Sequence, residues 1–239
     1  MALVRLRATL ARPCTATPRD VHGAVSNLLR GLGDAAHDGE APALFTPSLH
    51  GTTLDIGFLK DEAASQVWMA LEAKGVFDAG ERIGVRGLEV VEACPWAALV
   101  PGPTRGPVYV EAEFCSPLSF RRGGRDLPLP DPDLLLQILA RAWRYYANIP
   151  LPDDLPAITL ASVSGSSGLA RLGPGIFRLG FTGKAVYRIP ASPQQARIRA
   201  LFGLTRFTGV GQKVAWGMGH VFARDAPIAA SLAHAKTAV

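Results

Sequence analysis

The order of hydrophobic patterns along the chain limits its fold more than any other feature. Ala2–Leu10 alternates apolar and basic residues, which predicts a half-buried strand. Thr17-Pro18-Arg19-Asp20 then has the spacing of a capping box, and apolar residues from Val21 to Leu32 continue it at helical intervals. The rest of the first half holds three more strand patterns and one more helix: strands 44–49, 53–59 and 82–91, and a helix from Asp61 to Lys74-Gly75. The first half therefore predicts the order β-α-β-β-α-β.

The second half repeats this order after a stretch rich in proline and glycine, residues 93–107, which predicts a linker. Its strand patterns are Val108–Phe114, Ile158–Val163, Phe177–Ile189 and His220–Arg224. One helix is predicted to begin at Asp131-Pro132. A second runs to about Phe207 and begins with Ser192 and Gln195 in the spacing of a capping box. We predict an α+β fold of two tandem ferredoxin-like (RRM-like) domains, residues 1–92 and 108–225, with a tail over 226–239. The halves share element order but negligible sequence.

The charge is divided unequally between the halves. Residues 1–120 carry 10 Lys/Arg and 14 Asp/Glu, whereas residues 121–239 carry 15 Lys/Arg and 6 Asp/Glu. From Leu155 to Arg224 there is no acidic residue. A field of one sign over half a protein favours a polyanionic partner, and nucleic acid is the leading candidate. The alternative is a solvated basic surface that keeps the protein soluble.

Composition excludes several classes of protein. Hydrophobic residues make up 48% and charged residues 19%, which excludes wholesale disorder. No uncharged apolar run approaches the ~20 residues that span a bilayer, and Arg5 and Arg7 interrupt the apolar stretch that a secretory signal requires. Three distant cysteines without CxxC spacing argue against a disulfide framework or a zinc ribbon. We expect a cytoplasmic protein that does not associate with membranes.

A glycine cluster lies between the last helix and the last strand. Gly209, Gly211, Gly217 and Gly219 surround Lys213, whereas a dinucleotide-binding fingerprint follows a strand and opens a helix. Backbone amides unobstructed by Cβ atoms can approach a phosphate closely and form an anion-binding concavity. The alternative is a helix cap at Gly209 followed by an irregular turn.

Three blocks of sequence resemble the CRISPR-associated endoribonucleases, an antiviral defence family that cuts precursor CRISPR RNA within its repeats. The glycine segment 207–221, FTGVGQKVAWGMGHV, is similar to the family's C-terminal signature. Residues 114–123, FCSPLSFRRG, are similar to its strand-end block, and His37 with Pro42, Phe45 and Ser48 looks like its helix-end histidine region. The resemblance implies two ferredoxin-like domains and places a catalytic histidine at His37.

The histidines fit RNA cleavage without a metal, because no HxH or HExxH motif occurs and the 2′-hydroxyl of RNA can itself attack the adjacent phosphate. That reaction needs a base, an acid and positive charge on the phosphorane, and histidine fits either proton role. His22 is the second candidate, whereas we expect His220 to pack. Some family members place a tyrosine or lysine beside the histidine. In this chain the first tyrosine is Tyr109 and the first lysine is Lys60, so neither lies near His37 in the sequence. The residue that acts with His37 as acid or charge stabiliser is therefore not assigned. The candidates are Arg30, Arg121, Arg122 and Lys213.

The leading hypothesis is a metal-independent endoribonuclease that cuts CRISPR repeat RNA, leaves a 5′-hydroxyl and a 2′,3′-cyclic phosphate, and retains its product, as a monomer or homodimer. The predicted RNA-binding residues are Arg121, Arg122, Gly209, Gly211, Gln212, Lys213, Gly217 and Gly219. No cofactor and no metal are expected. The alternatives are a non-catalytic RNA-binding subunit of a CRISPR effector complex and an unrelated enzyme that binds a nucleotide at the glycine loop.

Overall fold

The N-terminal sheet is built around the first strand. A computed structural model describes residues 1–29 and 41–226 of the chain, so His37, Arg30 and the tail beyond Ala226 lie outside the described residues. The elements of this half are β1 (Ala2–Leu10), α1 (Pro18–Leu28), β2 (Phe45–His50), β3 (Thr53–Phe58), α2 (Asp61–Lys74), β4 (Val76–Asp78) and β5 (Arg82–Pro95). The strands form an antiparallel sheet in the order β2-β3-β1-β5-β4.

The C-terminal sheet repeats the arrangement with one added hairpin. Its elements are β6 (Val108–Leu118), β7 (Phe120–Arg122), β8 (Arg125–Leu127), α3 (Pro132–Tyr146), β9 (Thr159–Gly173), β10 (Ile176–Ile189), α4 (Gln195–Thr208) and β11 (Val221–Ala226). The main sheet has the order β11-β6-β10-β9, and β7 and β8 form a separate two-stranded hairpin. Short 3₁₀ turns lie at Trp96–Leu99 and Val214–Trp216.

Both halves have the strand order of a ferredoxin-like unit, which confirms the predicted fold class. In each sheet the first strand lies between the third and the last strand, and the second strand lies at an edge, if the short β4 is set aside. The linker and domain boundaries stay predictions. Strand β5 continues to Pro95 and a 3₁₀ turn follows it, so regular structure extends past residue 92.

Local sequence signals account for most helix ends. The Thr17 side chain accepts from the Asp20 amide, and the Asp20 carboxylate accepts from the Thr17 amide, which confirms the capping box. Asp131 caps α3 by accepting from the Leu134 amide. The predicted cap at Ser192 is wrong: α4 begins at Gln195, whose side-chain nitrogen donates to the distant carbonyl of Gly106 at 2.9 Å instead.

Helix α4 joins the two halves and leads into the glycine loop. Its last turn packs on β3 so closely that a Cβ at Gly57 would overlap the backbone of Phe207. Arg206 forms an ion pair of 2.7 Å with Glu92 on β5. The end of α4 is therefore held against the N-terminal sheet. Among the described helices, none is long and apolar enough to cross a membrane.

Candidate nucleic-acid interface

The glycine loop, residues 209–219, connects α4 to β11 through backbone conformations that favour glycine. Gly209, Gly211, Gly217 and Gly219 all have positive φ values, between 62° and 99°. Lys213 has a φ of 54° and is the one residue other than glycine with a positive φ in ranges 1–29 and 41–226. A Cβ at Gly219 would overlap the carbonyl of Val210. The loop therefore requires glycine for its own fold, whether or not a ligand binds.

Most amides of this loop have partners inside the protein. The Val210 amide donates to the Gly219 carbonyl at 2.8 Å, the Gln212 amide to Ser119 at 2.7 Å, and the Gly219 amide to Pro117 at 2.9 Å. The amides with internal acceptors are those of Gly209, Val210, Gln212, Trp216, Gly217, Met218 and Gly219. At these positions the expectation of an anion-binding amide concavity is wrong, because each N–H group is already engaged. Side chains must supply the charge instead.

The β7–β8 hairpin carries such charge beside the loop. Arg121, Arg122 and Arg125 are exposed around its Gly123-Gly124 turn. The side-chain nitrogen of Gln212 donates to the Phe120 carbonyl at 2.8 Å and to the Asp126 carboxylate at 3.1 Å. The side-chain amide of Gln212 thus holds the hairpin against the loop, and its contact with RNA stays a prediction.

Helix α1 contacts the other side of the loop through His22. The Nδ1 atom of His22 lies 3.1 Å from the carbonyl oxygen of Ala215, and its ring stacks on Phe45 at 5.5 Å between centroids. Because a carbonyl oxygen only accepts, Nδ1 carries the proton in this contact and Nε2 of the neutral ring carries the lone pair. The exposed Lys213 ammonium lies 4.6 Å from the Trp216 ring centroid, and His22 and Trp216 are 6.0 Å apart. An imidazole and a lysine therefore flank one indole ring.

The residue that follows the loop, His220, is buried as expected. Neither ring nitrogen has a hydrogen-bond partner, and its ring contacts Phe222 at 4.9 Å. Burial lowers the pKa of His220 to about 4, with the positive charge of Arg5 contributing. His220 is therefore neutral at physiological pH and is not a phosphate-binding cation.

A cleft of about 370 Å³ separates the loop from the N-terminal sheet. Its polar side chains include Ser48 and His50 from β2, Ser116 from β6 and Arg171 from β9, and Trp216 forms part of its wall. The Ser48 hydroxyl lies 2.8 Å from His50 Nε2. Among the described residues, no group of three or more His, Cys, Asp or Glu side chains is placed to hold a metal ion.

The predicted RNA-binding residues lie on two segments that contact each other. Arg121 and Arg122 lie on the hairpin, the other six lie on the loop, and Gln212 connects the two segments through its bond to the Phe120 carbonyl. Their contact with RNA stays a prediction, as does the role of His37.

Sequence reasoning missed Arg125 and the contact between α1 and the loop. The Gly123-Gly124 turn was a readable signal for the hairpin. By contrast, no local pattern links His22 to Ala215, because their contact joins opposite halves of the chain.

Two tandem ferredoxin-like units, the second of which places a glycine loop beside a basic hairpin, define the class of protein. Residues 112–221 match the family model of the CRISPR-associated endoribonuclease Cas6, which confirms the resemblance over the segment that contains the loop and the hairpin. A Cas6 of Mycobacterium tuberculosis is 31% identical over 121 residues, which cover 46% of this chain and 37% of that protein. The match thus spans little more than a third of the length of that relative.

Solved Cas6 structures share the fold along nearly the whole chain. A Cas6 product complex superposes with a TM-score of 0.82 at 24% identity, covering 94% of this chain and all of that one (100%). A Cas6 mutant with a histidine replaced by alanine gives a TM-score of 0.80 at 23% identity and covers 94% and 99% of the two chains. At this identity the likeness establishes the fold.

Proposed function

We propose that this protein is a metal-independent endoribonuclease of the cytoplasm that cleaves CRISPR repeat RNA within precursor transcripts. The observation that carries the proposal is the position of the Cas6 match. It covers residues 112–221, and these residues include the exposed arginines of the β7–β8 hairpin and the whole glycine loop. Sequence match and surface charge therefore coincide at one place in the fold.

The proposed reaction is a transesterification by the RNA itself. The 2′-oxygen of the nucleotide before the cut attacks its 3′-phosphate, so that an O2′–P bond forms and the P–O5′ bond breaks. A base removes the proton of the 2′-hydroxyl, and an acid donates a proton to the leaving 5′-oxygen. The products are a 2′,3′-cyclic phosphate and a 5′-hydroxyl.

His37 is the proposed catalytic residue. The described residues on either side of its segment, Leu29 and Leu44, both pack in the N-terminal core, and α1, which precedes the segment, contacts the glycine loop through His22. The similar Cas6 structure with a histidine-to-alanine replacement agrees with a histidine of functional interest in that protein.

Side chains rather than loop amides hold the phosphates in this proposal. The Arg121 and Arg122 guanidinium groups and the Lys213 ammonium are exposed on neighbouring segments. A guanidinium can bind a phosphate with two hydrogen bonds, whereas an ammonium acts as a point charge. Gly211 lets the loop backbone pass close to Ser119, the residue before the hairpin, and so brings these cations onto one surface. The RNA is substrate and retained product, and its transfer to an effector complex stays a prediction.

His22 is a second candidate for a proton-transfer role. The observation that favours it is its contact with the glycine loop, where Nδ1 lies 3.1 Å from the Ala215 carbonyl oxygen and the ring lies 6.0 Å from that of Trp216. His22 and His37 would then act as a pair, one as base and one as acid.

The test is cleavage of repeat RNA from the neighbouring CRISPR array by wild-type protein, His37→Ala and His22→Ala, all in EDTA. We expect one cut by the wild type and its loss in His37→Ala with binding retained. Loss in His22→Ala as well would identify the pair. Binding without cleavage by any of these proteins would indicate a non-catalytic RNA-binding subunit and contradict the proposal.

A further inference from the structure

The cleft beside the glycine loop is lined by residues from both halves of the chain. Its walls come from the start of α1, the end of β2, the end of β6, β9 and the loop itself. Trp216, Gly217 and Met218 of the loop take part, so the cleft adjoins the surface proposed to hold RNA. Its volume of about 370 Å³ lies within the roughly 300–1,000 Å³ typical of small-molecule sites. The cleft therefore suits a single base rather than a stretch of helix.

The charge of this cleft suits an anionic strand. Among the described residues, no aspartate or glutamate lines it. Three other cavities in the described parts of the chain each include aspartate: Asp20 and Asp78 in the first, Asp225 in the second, and Asp133 and Asp153 in the third. The exposed Arg171 lines the cleft and forms no ion pair within residues 1–29 and 41–226, whereas Arg7 and Arg224 are held by carboxylates. One cation is therefore free to bind a phosphate there.

The hydroxyl groups of the cleft can form hydrogen bonds with the edge of a base. Ser116 accepts from the His220 amide at 2.8 Å, and the described residues provide no acceptor for its own proton, so its hydroxyl can donate to a ligand. The Ser48 hydroxyl is buried and lies 2.8 Å from His50 Nε2. Because either atom can donate in that contact, Ser48 can offer a ligand a lone pair or a proton.

We propose that the cleft binds one unpaired nucleobase of the repeat RNA, with the phosphate of the same nucleotide on Arg171. This inference rests on the proposed function. Sequence-specific recognition of RNA uses bases outside a helix, which proteins pack against apolar or aromatic side chains and hydrogen-bond at their edges. Trp216 and Met218 supply apolar walls in this cleft, and Ser48 and Ser116 supply the edge contacts. Binding would then depend on the presence of one particular base.

The single cation favours an RNA strand over a free nucleotide. The phosphate group of a mononucleotide carries a charge of about −1.5 to −2 at pH 7 and needs several donors. The loop amides at the cleft, those of Trp216, Gly217 and Met218, already donate to carbonyls inside the loop. A phosphodiester carries one negative charge, which the guanidinium of Arg171 alone can match.

The test is a scan of the repeat RNA with abasic sites. Each unpaired nucleotide is replaced in turn by an abasic one, and the nucleotide before the cut is 2′-deoxy so that the RNA stays intact. Fluorescence anisotropy in EDTA measures the affinity of the wild-type protein for each RNA. We expect one position at which loss of the base weakens binding at least about tenfold, because the apolar and edge contacts disappear with it.

Two variants connect that position to the cleft. Ala170→Phe places a ring from β9 in the cleft, so this variant should bind intact RNA as weakly as the wild type binds the abasic RNA, with no further loss on the abasic RNA. Ser48→Ala removes one edge contact and should weaken only the binding of intact RNA, by several-fold. Ala98→Phe, in the cavity that includes Asp225, is the matched control and should bind both RNAs as the wild type does. Far-UV circular dichroism checks each fold, and Ser48→Ala provides the test if the larger substitution unfolds the protein.

Several outcomes would overturn the proposal. If the wild type binds and cuts repeat RNA but no abasic site changes its affinity, the inference fails and the proposed function stands. A position that stays equally sensitive in Ala170→Phe and Ser48→Ala would show that the base binds elsewhere. A flat scan together with a melting temperature that AMP or UMP raises in the wild type but not in Ala170→Phe would assign the cleft to a free nucleotide. If the wild type does not bind repeat RNA at all, both the inference and the proposed function fail.

Discussion

The side-chain amide nitrogen of Gln212 donates a 2.8 Å hydrogen bond to the backbone carbonyl of Phe120, the residue immediately before Arg121. Since Gln212 also immediately precedes Lys213, one side chain fixes the spacing between the cation of the loop and those of the hairpin. Gln212 is thus a positioning residue for the charged surface.

Gln212→Ala should therefore weaken RNA binding, because the hairpin cations lose their fixed distance from Lys213. The variant loses the hydrogen bonds to the Phe120 carbonyl and the Asp126 carboxylate, which destabilises the contact between loop and hairpin by about 1–3 kcal/mol. We expect a several-fold rise in the dissociation constant with an unchanged salt slope, measured by fluorescence anisotropy. Gln137→Ala, at an exposed glutamine of α3, is the control. A reduced salt slope in Gln212→Ala would contradict the positioning role.

Arg121→Ala, Arg122→Ala and Lys213→Ala should each lower both the affinity for RNA and its salt dependence. Each phosphate contact contributes about 0.7–0.9 to the slope of log K against log salt. We expect each variant to reduce the slope by about that amount, measured between low and moderate salt. Arg86→Ala, at an exposed arginine of β5, should leave the slope unchanged. If all four variants kept the salt slope of the wild type, RNA would bind elsewhere on the protein.

Gly219→Ala should destabilise the protein strongly. The residue has a φ of 63°, and a Cβ there would overlap the Val210 carbonyl, so the loop must open to accept it. We expect a loss of about 2 kcal/mol or more in the free energy of unfolding, measured by urea denaturation. Gly23→Ala, in the middle of α1 with open space around it, should instead stabilise the protein by about 0.5–1 kcal/mol. Equal effects at the two sites would refute the packing argument.

His220 should make stability depend on pH in mildly acidic solution. Its pKa is lowered to about 4 by burial and by the charge of Arg5, against a partly opposing effect of Asp55, whereas the unfolded chain has the ordinary value of 6.5. Below pH 6.5 the unfolded state therefore binds more protons, so stability is present above that pH and is lost as the pH falls towards 4.

We expect the wild type to lose about 1–2 kcal/mol of unfolding free energy between pH 7 and pH 5 on account of His220. His220→Gln removes the titrating group and should flatten this dependence, whatever its effect on stability at pH 7. Urea denaturation at the two pH values measures the difference. An unchanged difference in the variant would show that other groups cause it.

Periodic and local signals predicted most of the fold. The Thr17–Asp20 capping box and the left-handed Gly75 at the end of α2 each depend on neighbours within a few residues, and the structure contains both. Strand β1 forms as predicted, but the half-buried pattern expected for it is wrong, because this central strand has buried residues on both faces. Strands β4, β7 and β8 escaped prediction because three residues are too few for an alternating pattern. The cap at Ser192 failed because Gln195 is held by a carbonyl far away in sequence.

Composition indicated which segment forms the candidate site, but the contacts of that segment could not be predicted from the sequence. The acid-free region and the glycine cluster correctly marked where the charged loop lies. What they could not predict is that loop amides would bond to Pro117 and Ser119, because those partners come from a strand end about a hundred residues earlier. For the same reason, the hydrogen bonds from Gln212 to the hairpin could not be predicted from the sequence.

A single 2′-deoxy substitution at the nucleotide before the cut tests the central claim most directly. The proposed reaction uses the oxygen of that hydroxyl as its nucleophile, so the modified repeat RNA should bind with ordinary affinity and remain uncut by the wild-type protein in EDTA. The unmodified RNA should yield a 2′,3′-cyclic phosphate on its upstream product. Cleavage of both RNAs at the same rate would contradict this mechanism and show that another nucleophile attacks the phosphate.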